Sequence, residues 1–240
     1  WALASDWSTG VAVGDPVETR SRALIHVTIV QEGWRLHETR TICRIRTTPV
    51  IGLETVIPDA VIAADNPILV ESVVLGDGPQ RRYLGGVEAQ VWGIELVDRV
   101  ADPLPAAGET DDPRIVDSDA DGNPGATLKI GGNLCSLYVV QRALSAVVGD
   151  FESDTLIVGS GSFLTQQIVL AATSPLCATP FATQANAAGS IARMVRVDAA
   201  GLGLDDDGDA VVSCAELIAH EAEVVTWNEA DDARCTVGEP

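Results

Sequence analysis

Hydrophobic and polar residues alternate along much of the chain, which is the period of a β-strand with one buried face. In residues 22–30, apolar side chains take every second position from Ala23 to Ile29, whereas His26 and Thr28 face the opposite way. The same pattern covers residues 34–47, 68–75, 81–97, 126–131, 134–142, 144–149, 154–159, 162–172 and 190–198. Glycine-containing turns separate many of these segments at intervals of about ten residues, as in an antiparallel meander. We therefore predict an all-β fold whose meander closes into a barrel, with a β-sandwich as the alternative.

Helical signals are few. Ser213 and Glu216 have the spacing of a capping box and precede the apolar pair Leu217 and Ile218. This pattern predicts one short helix near residues 214–224. A lesser helical turn is expected over residues 59–64.

The chain of 240 residues is long enough for one large β domain. We expect an N-terminal arm over residues 1–15 and a single β domain over residues 16–240. Residues 101–125 are rich in Asp and Pro and have no periodicity, so we expect a long acidic loop there. No apolar run approaches the roughly 20 residues that span a bilayer, so no transmembrane segment is expected. The first residues lack the regions of a signal peptide, which indicates a processed or truncated chain.

The chain is strongly acidic, with 35 Asp and Glu residues against 15 Lys and Arg and a formal net charge of −20. Such a surface repels phosphate backbones, so we expect no nucleic-acid partner. Alternation along residues 34–47 predicts Arg40, Arg44 and Arg46 on one face beside Trp34. These arginines could grip a carboxylate or a sulfated sugar, but the excess of acids favours ion pairs within the chain.

Five cysteines are scattered along the sequence: Cys43, Cys135, Cys177, Cys214 and Cys235. Without CxxC pairs or Cys/His clusters they do not indicate zinc, haem or iron–sulfur sites. Their number and spacing suit an oxidising exterior in which two disulfides form, whereas buried free thiols are the alternative. The connectivity does not follow from spacing, and Cys214 with Cys235 is the pair we favour.

The clearest chemical pattern is an alternating acidic run in which Asp117, Asp119 and Asp121 are followed by Gly122. Calcium loops place oxygen ligands at alternate positions and then a glycine, so the run predicts a Ca²⁺ site. Asn123 would add a backbone carbonyl, and Asp111 or Asp112 could complete the shell. Leu128 stands at the twelfth position, where a full loop of this kind has glutamate.

Residues 117–125 resemble the DxDxDG loops of thrombospondin type-3 repeats and dockerin-like modules. The resemblance implies a structural Ca²⁺ that braces the loop. A solvated turn with Asx-type hydrogen bonds is the alternative. A second acidic run, residues 205–209, does not show this alternating spacing, so we interpret it as a solvated turn, with a second cation site as the alternative.

No catalytic signature is present. His220-Glu221 lacks the second histidine of HExxH, and Gly159-Ser160-Gly161 lies in a strand pattern rather than at a nucleophile elbow. We therefore assign no catalytic residue and no site for an organic cofactor, and we favour a non-enzymatic role.

The apolar strands allow a further interpretation, because a barrel of about eight strands can hold a small ligand. Candidate lining residues are Leu137, Val139, Ile157, Leu164, Ile168 and Leu170. Strand number and spacing resemble those of lipocalin-like calycin barrels, which implies a carrier of a small apolar ligand. Gly33-Trp34 lies in the second strand rather than near the first, where that family has its Gly-x-Trp signature, and a filled core is the favoured alternative.

Together these features predict a secreted or cell-surface protein of bacterial type, stabilised by Ca²⁺. We expect it to bind a surface partner or to serve as a self-assembling structural subunit. The alternatives are an extracellular hydrolase of polysaccharides and the lipocalin-like carrier. Unpaired strand edges would favour assembly by strand addition.

Overall fold

The computed structural model describes residues 1–13, 15–50, 52–132, 134–175, 177 and 183–225. In chain order the elements are β1 (Ala2–Val13), β2 (Asp15–Glu32), β3 (Arg35–Thr47), β4 (Thr55–Val56), α1 (Asp59–Ala64), β5 (Ile68–Leu75), β6 (Arg82–Leu84), β7 (Glu88–Trp92), β8 (Ala126–Ile130), β9 (Cys135–Ser153), β10 (Leu156–Ala172), β11 (Thr183–Ala185), β12 (Ile191–Val195), α2 (Cys214–Ala219) and α3 (Glu221–Val224). The all-β prediction is confirmed. Both predicted helical segments are confirmed as well, and the capping box of Ser213 and Glu216 starts α2.

Eight strands form a closed ring in the order β1, β2, β3, β5, β6, β9, β10 and β12, and β12 pairs with β1. Every neighbouring pair is antiparallel, and each ring strand pairs with the next ring strand along the chain. This is the predicted antiparallel meander. The remaining described strands attach to the ring: β7 and β8 to β9, β4 to β8, and β11 to β1.

The predicted N-terminal arm contains an integral strand of this ring. β1 pairs with β2 along its whole length, and Ala2–Asp6 also pair with β12. Leu3 is 1% exposed and belongs to the core inside the ring. Residues 2–13 therefore complete the ring instead of reaching away from the body.

Two glycines that the sequence reads as breakers lie inside continuous strands. Gly149 and Gly159 face each other in the pairing of β9 with β10. A Cβ atom added at Gly159 would lie 1.9 Å from the carbonyl oxygen of Val148. These glycines let the two strand backbones approach closely. The predicted break after Gly159 therefore lies inside β10, which replaces the predicted strands 154–159 and 162–172, and β9 likewise replaces 134–142 and 144–149.

An apolar core lies inside the ring, together with the buried charged residues Glu38, Arg40 and Glu88. Every ring strand contributes to it, because alternate residues of each strand point inward. Its buried members are Leu3, Ile25, Val27, Leu36, Ile42, Ile62, Ile68, Val70, Tyr83, Val147, Ile157, Ala192 and Met194. Ile62 comes from α1, so this short helix packs against the same core.

The described C-terminal segment, residues 197–225, covers the outer face of β1, β2 and β3. Ala4 and Leu24 pack there against Leu204, Leu217 and other residues of this segment. A disulfide between Cys43 on β3 and Cys214 at the start of α2 joins the two layers, with a Cα–Cα distance of 5.1 Å.

The favoured pairing of Cys214 with Cys235 was therefore wrong, because the packing of α2 on β3 places Cys43 beside Cys214. A second disulfide joins Cys135 to Cys177. Cys235 lies outside the described residues.

The three arginines expected on one face of β3 are separated by a β-bulge. Leu24 pairs with Arg44 and Ile25 pairs with Ile42, so Cys43 is an extra residue that shifts the alternation. Arg40 is consequently buried, whereas Arg44 and Arg46 both form ion pairs with Glu221. The shared face was a wrong prediction, but the expected pairing with acids of the same chain is confirmed.

Within the described parts of the chain, no helix is long and apolar enough to cross a membrane.

Candidate cation site

The three alternating aspartates converge near the end of the connection between β7 and β8. One carboxylate oxygen from each of Asp117, Asp119 and Asp121 lies within 4.8 Å of the other two. The side chains arise from a non-helical segment, so local backbone shape and not a helix or strand brings them together. The structure therefore unites three of the four residues that the sequence predicts as metal ligands.

The loop is held in this shape by hydrogen bonds from backbone N–H groups to a side-chain carboxylate. The N–H groups of Asp121 and Gly122 donate to the carboxylate of Asp117, at 3.1 and 2.8 Å. Ala120 and Gly122 have left-handed φ angles of 54° and 86°. The positive φ at Gly122 is easy for glycine and supplies the sharp turn expected after the third aspartate.

The acidic loop is attached directly to β8 through Thr127. The Thr127 hydroxyl donates to Asp121 Oδ2 at 2.6 Å, and the Thr127 N–H donates to Asp119 Oδ2 at 3.3 Å. Between them, Gly125 runs so close to β9 that an added Cβ atom would lie 2.5 Å from the carbonyl oxygen of Val139. The contacts with Thr127 in β8 thus position the carboxylates of Asp119 and Asp121.

One oxygen of the cluster has no partner. Asp119 Oδ1 is buried and, among the described residues, receives no hydrogen bond. Burial raises the pKa of Asp119 above its ordinary value, and the charges of Asp121 and Asp117 raise it further. An unsatisfied buried carboxylate oxygen is costly for a fold unless something binds it.

The other two carboxylates are supported differently. Burial by itself raises the pKa of Asp121, but hydrogen bonds from Thr127 and Asn123 bring it below the ordinary value. The side-chain amide and backbone N–H of Asn123 both donate to Asp121 Oδ1, at 3.1 and 2.9 Å. The role of the Asn123 carbonyl as a ligand stays a prediction.

The upstream aspartates do not join the cluster. Asp112 forms an ion pair with Arg114 at 2.7 Å, and hydrogen bonds from Arg114 lower the pKa of Asp112. Neither Asp111 nor Asp112 belongs to the converging set of carboxylates. Their arrangement therefore does not support the expectation that Asp111 or Asp112 completes the ligand shell of the cation.

A second group of converging carboxylates was missed at the sequence level. Asp205, Asp207 and Asp209 also place one oxygen each within 4.8 Å of one another. Asp206 stands between the first two of these residues and obscures the fact that every second residue from Asp205 to Asp209 is an aspartate. Ala210, the sixth residue counted from Asp205, has a left-handed φ of 68°, at the position where calcium loops usually have glycine.

The same segment carries a further signal, because Glu216 is the twelfth residue counted from Asp205. That is where calcium loops place a bidentate glutamate. In this structure Glu216 accepts hydrogen bonds from the N–H groups of Ser213 and Asp206, each at 2.7 Å. The bonds from Ser213, followed by that from Asp206, lower the pKa of Glu216 to about 2.

A concave space of about 1430 Å³ lies at the end of the ring where β2 turns into β3. Trp34, which is 57% exposed, lines it together with Phe151 and the ion pair of Arg81 and Asp154. Of the six residues predicted to line an internal ligand cavity, Ile157 alone borders this space. The others lie in or against outer apolar clusters or face solvent: Leu137, Val139, Ile168, Leu170 and Leu164.

No protein-family model matches this chain, and no curated protein or solved structure matches it.

Proposed function

We propose that this is a secreted or cell-surface protein stabilised by Ca²⁺ in the loop of Asp117, Asp119 and Asp121, with a binding or structural role. The observation that carries the proposal is the buried, unpartnered Oδ1 atom of Asp119 between two other carboxylates. Hard divalent cations such as Ca²⁺ prefer oxygen ligands of this kind. A bound cation would satisfy this oxygen and offset the mutual repulsion of three negative charges.

A structural role for the cation follows from where the loop is attached. Thr127 links the carboxylates to the first residues of β8, and the N–H of Gly125 donates to the carbonyl oxygen of Val116 at 3.0 Å. A cation bound here would hold the end of the long connection, residues 93–125, against the sheet.

An extracellular location agrees with two further features of the chain. Two disulfides form between residues far apart in sequence, at separations of 171 and 42. Such bonds persist in oxidising surroundings and are rare in the cytosol. The net charge of −20 also keeps a protein soluble where divalent cations and salt are abundant.

Melting curves with and without free Ca²⁺ test the proposal. A cation that binds the folded form alone at about 100 times its Kd adds about 2.7 kcal/mol to the free energy of unfolding. We expect Asp119→Asn to lose the share of this response that the loop of Asp117, Asp119 and Asp121 supplies. In calcium-free buffer the variant should be at least as stable as the parent protein, because the substitution removes a buried charge from a repulsive cluster.

The matched control is Asp77→Asn, which removes the same charge from an exposed loop and should keep the full response to Ca²⁺. If the parent protein melts at the same temperature after verified removal of calcium, the proposal is wrong. Isothermal titration calorimetry of both variants counts the bound ions and separates this loop from the Asp205–Asp209 cluster.

The alternatives expected from the sequence stay predictions. A carrier of an apolar ligand would use the open space beside Trp34, which the core residues Val27, Leu36 and Ile157 also line. A polysaccharide hydrolase has no supporting observation among the described residues.

A further inference from the structure

Part of one edge of β10 has no strand partner among the described residues. Residues Leu156–Ser160 pair with β12, but no described residue pairs with this edge from Gly161 to Ala172. Backbone N–H and C=O groups along such an edge form a ready template for another strand. We call this unpaired stretch of β10, residues 161–172, the open edge.

The open edge lacks most of the devices by which proteins protect such strands. Natural edges carry charged residues, proline or bulges. Here one irregularity occurs between Val169 and Ala171, and the strand contains neither proline nor a charged residue. Leu164 lies in the middle of the stretch with 53% of its surface exposed.

The surrounding sequence is equally free of charge. From Thr155 to Ala192 the chain has no Asp, Glu, Lys, Arg or His, although charged residues make up 21% of the whole sequence. The distribution of charge is therefore strongly uneven. An acidic protein has an uncharged band, and the open edge belongs to it.

The open edge is also held in an extended shape by its other neighbour. β10 pairs with β9 through this whole region. The guanidinium of Arg142 donates to Gln166 across the two strands at 2.9 and 2.5 Å, and Gln167 donates to Gln141 at 2.8 Å. Phe163 packs on Trp7, with 5.5 Å between ring centroids. A strand that is already ordered loses little conformational entropy when a second strand joins it.

We propose that the open edge binds the same edge of a second copy of this chain, as an antiparallel pair of β10 strands. Charge restricts the partner to one that an uncharged strand can meet, and a second copy supplies such a strand. Two copies, each with a net charge of −20, repel one another over most of their surfaces. They can meet along the uncharged band without placing like charges together. A basic partner would instead be drawn to the acidic surface.

A twofold axis between two identical strands gives antiparallel pairing and uses both open edges, so the assembly stops at a dimer. The inference rests on the structural role proposed above, for which it names a partner. It does not depend on the calcium loop, because Asp117, Asp119 and Asp121 lie outside the open edge.

Sedimentation equilibrium across micromolar to near-millimolar concentrations tests the inference, with Ca²⁺ present throughout. We expect the parent protein to form a dimer and Leu164→Lys to weaken the dimer by at least about tenfold, since lysine on an edge opposes strand addition. The matched control is Val158→Lys, which adds the same charge at an exposed position of the same strand where β12 already pairs. It should dimerise like the parent.

A second variant, Thr165→Lys, guards against a folding defect in the first, and far-UV circular dichroism verifies the fold of all three. A monomeric parent protein over the whole range would overturn the inference. So would Leu164→Lys and Thr165→Lys variants that dimerise as tightly as Val158→Lys. The melting response of Asp119→Asn to Ca²⁺ is a separate measurement, so failure of either proposal is recognised independently.

Discussion

Arg40 lies at the centre of a charged network buried inside the ring. Its Nη2 atom donates to Glu38 Oε2 at 2.6 Å, its Nη1 atom donates to Glu88 Oε2 at 2.7 Å, and the Tyr83 hydroxyl donates to Glu38 Oε1 at 2.7 Å. Burial by itself lowers the pKa of Arg40, but Tyr83 and the two carboxylates raise it above its ordinary value. The guanidinium therefore stays charged and balances the negative charges of the two buried carboxylates.

Loss of this cation should be costly. Arg40→Met leaves Glu38 and Glu88 without their charge partner, and breaking a buried ion pair in this way costs about 3–5 kcal/mol. Arg46→Met removes an arginine whose side chain is 60% exposed, and surface ion pairs contribute about 0–1 kcal/mol. Urea unfolding of both variants measures the difference. Equal losses in the two variants would contradict the assignment of Arg40 to a buried network.

The raised pKa of Asp119 makes binding of Ca²⁺ sensitive to acid. A cation must displace the proton from Asp119, so its affinity should fall as the pH drops through a value above the ordinary 3.8. With one proton displaced, the decline approaches about tenfold per pH unit. In the absence of Ca²⁺ the sign is opposite: ionised Asp119 destabilises the fold, and this penalty disappears as the pH falls.

Calorimetric titrations of Ca²⁺ at several pH values check this expectation. Asp77→Asn should show the same pH profile as the parent protein. A constant affinity from neutral pH down to 3.8 would show that Asp119 does not take up a proton in competition with the cation.

At the scale of elements, the disulfides attach segments that the sheet itself does not hold. Cys43–Cys214 closes a separation of 171 residues and attaches α2 to the outer face of β3. Cys135–Cys177 closes a separation of only 42 residues next to β9. Because the entropy lost by the unfolded chain grows with loop length, the first bridge should stabilise the fold more.

We expect replacement of Cys43 and Cys214 by serine to cost about 2–5 kcal/mol. The same change at Cys135 and Cys177 should cost about 1 kcal/mol less, from the logarithmic dependence on loop length. Guanidinium unfolding of the two double variants gives both values. A larger loss for the shorter loop would show that local strain, and not chain entropy, sets the contribution.

At the scale of the whole molecule, the uneven distribution of charge governs association. Screening shortens the Debye length from about 30 Å at 0.01 M salt to about 3 Å at 1 M. Repulsion between two copies with a charge of −20 should therefore fade, and pairing along the open edge should strengthen, as salt is raised. Sedimentation equilibrium at the two salt concentrations shows whether dimerisation becomes stronger as salt is raised. Dissociation at high salt would indicate ion pairs as the basis of association instead.

The candidate site shows how far local sequence signals reach. The alternation of Asp117, Asp119 and Asp121 is a local pattern, and the structure does bring these side chains together. The cluster of Asp205, Asp207 and Asp209 has an equally local signal that the intervening Asp206 conceals. Support from Thr127 and the unpartnered Asp119 oxygen depend on how the loop meets β8, which no spacing rule specifies.

The sequence by itself determined the all-β class, the short helices near residues 59–64 and 214–224, and the acidic loop, because alternation, capping and turn residues act within a few positions. The tertiary structure alone decided the partner of Cys214, the bulge at Cys43 that separates Arg40 from Arg44, and the open edge of β10. These features arise from contacts between residues distant in sequence. Strand pairing and helix docking depend on total burial and on geometry. Neither can be recognised from the residue pattern around a single position of the chain.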